Sequence, residues 1–331
     1  MKKILILGAG SWGTALASLW ATDSHSITLW GHDEERVGKV QKTRENADYL
    51  PGISLPENIE ATHSLAAVSD AEIIVFVTPS VALREIATKV NAAGVSQNAV
   101  FLSCTKGIEH GSGRRMSEIL REIFPAHRVA VLSGPNLAVE VARGLPTATV
   151  IGCEDHDVAT DLQSVLGSER FRIYTSDEVT GIELGGALKN VFAIPAGVSD
   201  GFGLGDNSKS ALVTRSLAEL LRLGTAMGGN PRTFSGLSGA GDLIATCFSK
   251  YSRNRGLGER LGNGEPLEKI LAETKSVAEG VPTTKGAYEW ARRLDVETPI
   301  IDLVYAVLYE KKPLLLAFKE LLSRDQKAER L

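Results

Sequence analysis

The chain has 331 residues, 43% of them hydrophobic, and a formal net charge of −4, which suits two cores better than one and excludes a global basic field for nucleic acid or an anionic membrane. Its six histidines show no metal-ligand spacing, so no protein-ligated metal is expected, and its three cysteines are far apart and odd in number, which points to a reducing cytoplasm. No run approaches the roughly 20 continuous apolar residues of a membrane span, so no span is expected.

The opening stretch "KKILILGAGSWGTALASLWA" has the basic start and apolar body of a cleaved signal, but Gly8, Gly10 and Gly13 interrupt it. It reads instead as a strand at 4–7, a tight turn and a helix carrying Leu16, Leu19 and Trp20. Gly8 permits the turn, Gly10 lets a pyrophosphate approach the backbone, and Gly13 lets helix pack on strand, while the helix N-terminus offers N–H donors. A second strand at 26–30 arrives where the ribose loop of a dinucleotide site belongs. In the loop that follows, Asp33 favours a free ribose 2′-OH, whereas His32, Arg36 and Lys39 would accept a 2′-phosphate. NAD and NADP therefore both stay open.

Strands are expected next at 72–77, 99–103, 128–132, 147–151 and 170–174, alternating with helices near 80–91, 114–123, 136–143 and 155–166. The alternation implies a mostly parallel, Rossmann-type sheet with ligands outside the carboxyl ends of its strands, where Thr78-Pro79 and residues 104–107 fall. Lys106 stands there, although by residue type alone it reads as a solvated loop lysine. The glycine triplets at 111–113 and 239–241 read as loops. After residue 177 helical patterns dominate, at 178–197, 207–228, 237–248, 253–260, 267–274, 281–293, 299–309 and 312–322. The expected architecture is α/β plus all-α: a dinucleotide-binding domain at 1–177, then an all-helical domain at 178–331. Gly201-x-Gly203-x-Gly205 reads as a flexible connection and the closing "LLSRDQKAERL" as a solvated end.

Two clusters of the helical half carry chemistry. Lys189 is the one charge in "GGALKNVFAIPAG", where small neighbours let a backbone or substrate approach. Desolvation there draws a lysine pKa toward neutrality, a carboxylate raises it again, and such a group can exchange a proton with a hydroxyl or carbonyl; the bland alternative is a lysine snorkelling from a buried helix. In "GLSGAGDLIATCFSKYSRNRGLGERLGNG", Asp242 can cap or orient, and Ser252, Arg253 and Asn254 open a helix where donors could converge on an anion; by type alone Asp242 is a helix cap and Arg253 a surface charge.

The chain resembles the bacterial NAD(P)-dependent glycerol-3-phosphate dehydrogenases nearly end to end, through "GAGSWGTALA", "CTKGIE", "SGPNLAVEVARGLPTATVI", "ELGGALKNVFAIPAGVSDGFGLGDNSKSAL" and "GLSGAGDLIATCFSKYSRNRGLG". The resemblance implies reversible hydride transfer between NAD(P)H and dihydroxyacetone phosphate, giving sn-glycerol 3-phosphate for phospholipid synthesis. It implies Lys189 as proton donor and acceptor, with Lys106 and Asp242 assisting, and Lys106, Gly134, Asn136, Asp242, Ser252, Arg253 and Asn254 lining the substrate. Ser11, Trp12, His32, Tyr49, Lys106, Ala138, Arg253, Val277 and Glu279 would meet the cofactor, in a cytoplasmic homodimer. The family's arginine near His32 is absent here. Two rivals stay open: a nucleotide sensor that lost its chemistry, and an enzyme for another β-hydroxy acid. Lys106, Lys189 and Asp242 together weigh against the first, and Ser252-Arg253-Asn254 against the second.

Overall fold

The computed structural model describes residues 2–273, 277–323 and 328, so most of the closing polar stretch, at 324–327 and 329–331, and the last residue of the helix expected at 267–274 lie outside the described residues. The chain forms two compact units, one of Met1–Lys106 and Arg114–Val179, the other of Gly107–Gly113 and Thr180–Leu331.

The first unit is built on eight strands: β1 (Lys2–Leu7), β2 (His25–Trp30), β3 (Ile59–Thr62), β4 (Ile73–Phe76), β5 (Val100–Ser103), β6 (Arg128–Ser133), β7 (Thr147–Gly152) and β8 (Phe171–Ser176). Their order is β3-β2-β1-β4-β5-β6-β7-β8, parallel throughout except for the β6–β7 pair. Both faces are covered, and the period-two alternation of the strands separates them: Ile4, Ile6, Ile73 and Val75 join one core cluster, Leu5, Leu7, Ile74 and Phe76 another. The crossover helices are α1 (Ser11–Trp20), α2 (Glu34–Thr43), α3 (Leu83–Ala92), α4 (Met116–Ile123), α5 (Ala138–Ala142) and α6 (His156–Leu166).

Two of these elements have no counterpart in the sequence reading, which placed nothing between residues 30 and 72. Helix α2, "EERVGKVQKT", buries only Val37 and Val40, and β3 buries only Ile59 and Ala61. Two apolar positions are too few to establish a period. Asp33 nevertheless marks the start of α2, accepting the N–H of Arg36 at 3.0 Å as an N-cap.

The second unit holds α7 (Val179–Gly201), α8 (Gly205–Ala226), α9 (Asp242–Phe248), α10 (Arg253–Gly262), α11 (Leu267–Glu273), α12 (Gly280–Arg293), α13 (Pro299–Tyr309) and α14 (Leu314–Leu322) around one core, which Ile108 joins from the excursion at 107–113. Helix α7 is its axis. Leu184, Leu188, Phe192, Ala193 and Ile194 are buried around its circumference, the pattern of a helix surrounded by others. Glycines let α10 lie directly on it: a Cβ at Gly197 would fall 2.7 Å from Glu259 N, one at Gly258 3.0 Å from Val198 N, and one at Gly262 2.7 Å from Val198 O. The helix expected at 237–248 is present as a π-helical turn, Leu237–Gly241, that runs straight into α9, and the glycine triplet at 239–241, expected as a loop, is part of that turn. The 201–205 connection is a tight corner, with Gly203 and Gly205 at φ of 65° and 78°, a region glycine enters without strain.

Glu219 of α8 is buried, and its carboxylate accepts the N–H groups of Ile300 and Ile301 at 3.0 and 2.8 Å, closing the N-terminus of α13. Burial pushes this carboxyl up to about 7, against the pull of those two N–H groups and of Arg222. Because the folded value exceeds the unfolded one, the native state binds the extra proton, and this contribution to stability is lost as pH rises through that window. The shift corresponds to about 3 kcal/mol. Replacing Glu219→Gln is expected to shrink the difference in urea unfolding free energy between pH 5 and pH 8 by about 2–3 kcal/mol; an unchanged difference would show that the carboxyl ionises normally.

Candidate functional site

In the first unit the turn from β1 to α1 is shaped by its glycines for different reasons. Gly8, at φ 128°, backs onto the Val77 carbonyl, and a Cβ on Gly13 would collide with the Gly8 carbonyl, so both positions are dictated by the protein itself. Gly10 is not: its φ is −86° and a Cβ there would meet nothing within 4 Å. No side chain caps α1 and no acid occupies its first turn, so the N–H groups face open space suited to an anion.

The turn is braced by the loop at 46–50. Asn46 donates from Nδ2 to Ala9 O at 3.0 Å and to Thr14 Oγ1 at 2.8 Å, and Ser11 donates from Oγ to Tyr49 O at 2.6 Å. Arg36 donates from Nη1 to the Tyr49 hydroxyl at 2.8 Å, lies 5.0 Å from its ring centroid and pairs with Asp33 at 3.2 Å. The Asp33 carboxylate is thus held by its own helix and Arg36, while His32 beside it is exposed. Trp12 Nε1 is buried with no hydrogen-bond partner among the described residues. Asn46, 1% exposed, escaped the sequence reading; a lone polar amide in a linking segment gives no periodic signal.

Lys106, just past the end of β5, donates from Nζ to Gly134 O at 3.0 Å, just past the end of the adjacent β6. Gly134, at φ 153°, lies so close to Thr149 that a Cβ would fall 3.0 Å from its Cα. Thr149 Oγ1 is 3.1 Å from Asn136 Oδ1, whose Nδ2 is buried without a hydrogen-bond partner among the described residues. Ala138 opens α5 two residues on. Lys106, Gly134, Asn136 and Ala138 therefore gather at one pair of carboxyl strand ends. Burial raises the nearby Cys104 thiol far above its ordinary value, leaving it inert.

In the second unit Lys189 is 7% exposed and donates from Nζ to Asp242 Oδ1 at 2.9 Å and to Thr246 Oγ1 at 2.6 Å; the Thr246 hydroxyl lies 3.2 Å from the same carboxylate oxygen. The π-helical turn makes this possible. It packs on Gly185, whose Cβ would fall 2.6 Å from Ser238 O, and sets Asp242 as the first residue of α9, so that Asp242 and Thr246 share one helix face at i and i+4. Burial among these groups pushes the adjacent Cys247 thiol up to about 12.

Ser252 caps α10, its Oγ accepting Arg255 N at 3.2 Å, and Arg253 beside it is exposed. Asn254 is buried: its Nδ2 donates to Asn190 Oδ1 at 2.9 Å and its Oδ1 accepts Gly280 N at 2.8 Å, joining α7, α10 and α12. Glu279 and the exposed Val277 lie just before Gly280. Asn190 and Thr246 are the residues of this cluster that sequence reasoning missed. Each is one step from a residue it singled out, Asn190 next to Lys189 and Thr246 one turn after Asp242.

Family models for the N-terminal and C-terminal parts of NAD-dependent glycerol-3-phosphate dehydrogenase match residues 3–159 and 178–319. The chain belongs to this family. A Bacillus licheniformis relative named glycerol-3-phosphate dehydrogenase (NAD(P)+) is 45% identical over 329 residues, covering 98% of this chain and 95% of that one. One of the same name from Geobacter sp. (strain M21) is 46% identical over 332 residues, covering 99% of each. The crystal structure of a glycerol-3-phosphate dehydrogenase from Coxiella burnetii superimposes with a TM-score of 0.94 at 36% identity, over 98% of this chain and 99% of that one. The α/β sheet followed by a helical unit is the architecture of these enzymes, and the glycine turn fits the dinucleotide that the family uses. Among the described residues no His, Cys, Asp and Glu group could hold a metal, and no helix is long and apolar enough to cross a membrane.

The Lys189–Asp242 pair is nearly dry, so removing one partner strands the other's charge. Asp242→Ala and Lys189→Ala are each expected to cost about 3–5 kcal/mol in urea unfolding, while the double variant Lys189→Met/Asp242→Leu costs less than the sum. Additive losses would mean that the two side chains do not depend on each other.

Proposed function

We propose that this chain reduces dihydroxyacetone phosphate to sn-glycerol 3-phosphate, reversibly, with Lys189 as the proton donor and acceptor. The observation that carries the reading is the buried Lys189–Asp242–Thr246 triangle, an ammonium held in fixed orientation by a carboxylate and a hydroxyl on the next helix. Bound nicotinamide cofactor supplies or accepts the hydride. Reduction of a ketone leaves negative charge on its oxygen, and an ammonium within hydrogen-bond reach stabilises that charge and delivers the proton. Asp242 keeps Lys189 charged and aimed, and Thr246 restrains its swing.

The residue roles divide along the two units, which we assign as a dinucleotide-binding domain and a helical catalytic domain. Gly8, Gly10, Ser11, Trp12, Gly13, His32, Tyr49 and Ala138 are assigned to the cofactor, with Arg253, Val277 and Glu279 from the helical unit. Lys106, Gly134 and Asn136 are assigned to substrate oxygens, Lys106 meeting the cofactor as well. Ser252, Arg253 and Asn254 are assigned to the phosphate, where an exposed guanidinium at a helix start suits a dianion. Ser11 and Asn254 already use side-chain groups to brace the protein, so their contributions come from backbone N–H groups and remaining donors. Work in the cytoplasm, supplying glycerol 3-phosphate for phospholipid synthesis, fits the three buried, unpaired cysteines. A homodimer fits the exposure of Leu315 and Leu316 on α14.

The purified enzyme should oxidise NADH or NADPH with dihydroxyacetone phosphate. Lys189→Ala should lower kcat by on the order of 10²–10⁴ while NADH affinity stays within a few-fold. Near-wild-type turnover would remove Lys189 from the mechanism. Gly10→Val should leave thermal stability unchanged, since no protein atom occupies the space, yet weaken NADH binding by roughly 100-fold or more in fluorescence titration. Unchanged affinity would mean that the turn does not hold a pyrophosphate.

A further inference from the structure

A second charged cluster is buried in the helical unit, away from the proton chemistry. Asp200, near the end of α7, accepts both Lys209 Nζ contacts, at 2.9 and 2.7 Å, and its Oδ2 lies 2.6 Å from Arg255 Nε. Arg255 also pairs with Glu259 at 3.1 Å, and Lys209 Nζ stands 4.7 Å from the Phe248 ring centroid. The side chains of Lys209, Arg255 and Asp200 are only 7%, 13% and 20% exposed. Taking three charges largely out of water is costly, and apolar side chains of similar volume often fill such a space at no loss of stability, so stability alone does not account for the cluster.

Its placement supplies one. Where α7 meets α10 the contact is glycine against backbone, at Gly197, Gly201, Gly258 and Gly262. Such a contact brings the helices close but has few side chains to interdigitate, so it does little to set their register along the axis. Polar links set it instead, at two places: Asn254 to Asn190 at the start of α10, and Arg255 to Asp200 one residue further on. Arg255 is held three times, by its N–H to the Ser252 cap, by its guanidinium to Glu259 on its own helix, and by the charge contact of its Nε with Asp200 on α7. Arg253 and Asn254 lie between Ser252 and Arg255. Asp200 is 11 residues from Lys189, or roughly 16 Å along a helix.

We propose that Asp200, neutralised by Lys209 and Arg255, is a positioning residue that fixes the start of α10 and thereby the phosphate-binding geometry of Ser252, Arg253 and Asn254. This rests on the assignment of the phosphate to that helix start. Lys209 balances the carboxylate and ties it to α8, so that the anchor for Arg255 does not move.

The test uses the full-length enzyme with Asp200→Asn, Lys209→Met and the conservative Lys209→Arg, each checked for folding by its Tm. Four readouts are compared: kcat and KM for dihydroxyacetone phosphate, kcat/KM for unphosphorylated dihydroxyacetone, NADH affinity, and calorimetric titration with inorganic phosphate. Asp200→Asn and Lys209→Met are expected to raise KM for the phosphorylated substrate and Kd for phosphate by about 10-fold or more, with kcat within about 3-fold, NADH affinity unchanged, and the unphosphorylated substrate unaffected. Lys209→Arg should restore most of the loss. A merely structural role would lower Tm and spoil both substrates together. Equal losses on the two substrates, or a phosphate Kd within about 2-fold of wild type in folded variants, overturn the proposal; if Asp200→Asn does not fold, Lys209→Met decides by the same criteria. Phosphate binding that depends on Asp200 in a protein that fails to reduce dihydroxyacetone phosphate would sink the enzymatic reading and leave the positioning role standing.

Discussion

The helical unit depends on how closely other backbones approach α7. Gly185, Gly197 and Gly201 remove the side chains that would hold neighbours at the usual 8–10 Å between helix axes, and the gain is proximity: the π-helical turn seats on one end and α10 on the other. Lys189 lies between these contacts. Its position is therefore set by main chain, which is stiffer than any rotamer, and its partner Asp242 arrives on a segment whose own geometry is fixed by the same contact. A larger residue at Gly185 would push away the turn that carries Asp242, whereas one at Gly197 or Gly201 would push α10 off the helix.

Two ion clusters of this unit differ in kind. Lys189 donates to a carboxylate and a hydroxyl, which orient the ammonium. Asp200 meets two cations, one of which has a further anion in Glu259, a set that leaves no net charge and little freedom. Low local dielectric strengthens both, and it penalises any unpaired member equally.

Much of this could be read from the residues. The buried strands were legible because β1 and β4 are apolar on both faces, and the glycine turn because its spacing sits between a strand and a helix. The polar helix α2 and the four-residue β3 were not, as each buries two side chains. Within the helix expected at 237–248 the triplet at 239–241 was read as a loop because glycine is a poor helix former; the π-helical geometry there comes from the backbone it packs against, Phe234 on one side and Gly185 on the other. The partner of Lys189 lies 53 residues away, a separation over which local pattern carries no information. Chemistry narrowed the choice to a carboxylate, and resemblance to a family pointed to Asp242. Asn46, Asn190 and Thr246 stayed hidden for a related reason: a buried polar side chain looks like any surface residue until its partners are known.

The excursion at 107–113 has a consequence for dissecting the chain. The first unit leaves its own sheet after Lys106, places Ile108 in the helical core and Gly113 against Trp290, whose Nε1 donates to the Gly113 carbonyl at 3.0 Å, and then returns at Arg114. A fragment cut at the junction near residue 180 would carry the longest helices and still leave a half-buried indole without its acceptor and a gap in the apolar interior. The helical unit is thus not encoded by any single contiguous stretch. Gene fusions, domain swaps between relatives and expression of isolated halves would all have to carry this seven-residue segment across the cut, or supply a substitute for it.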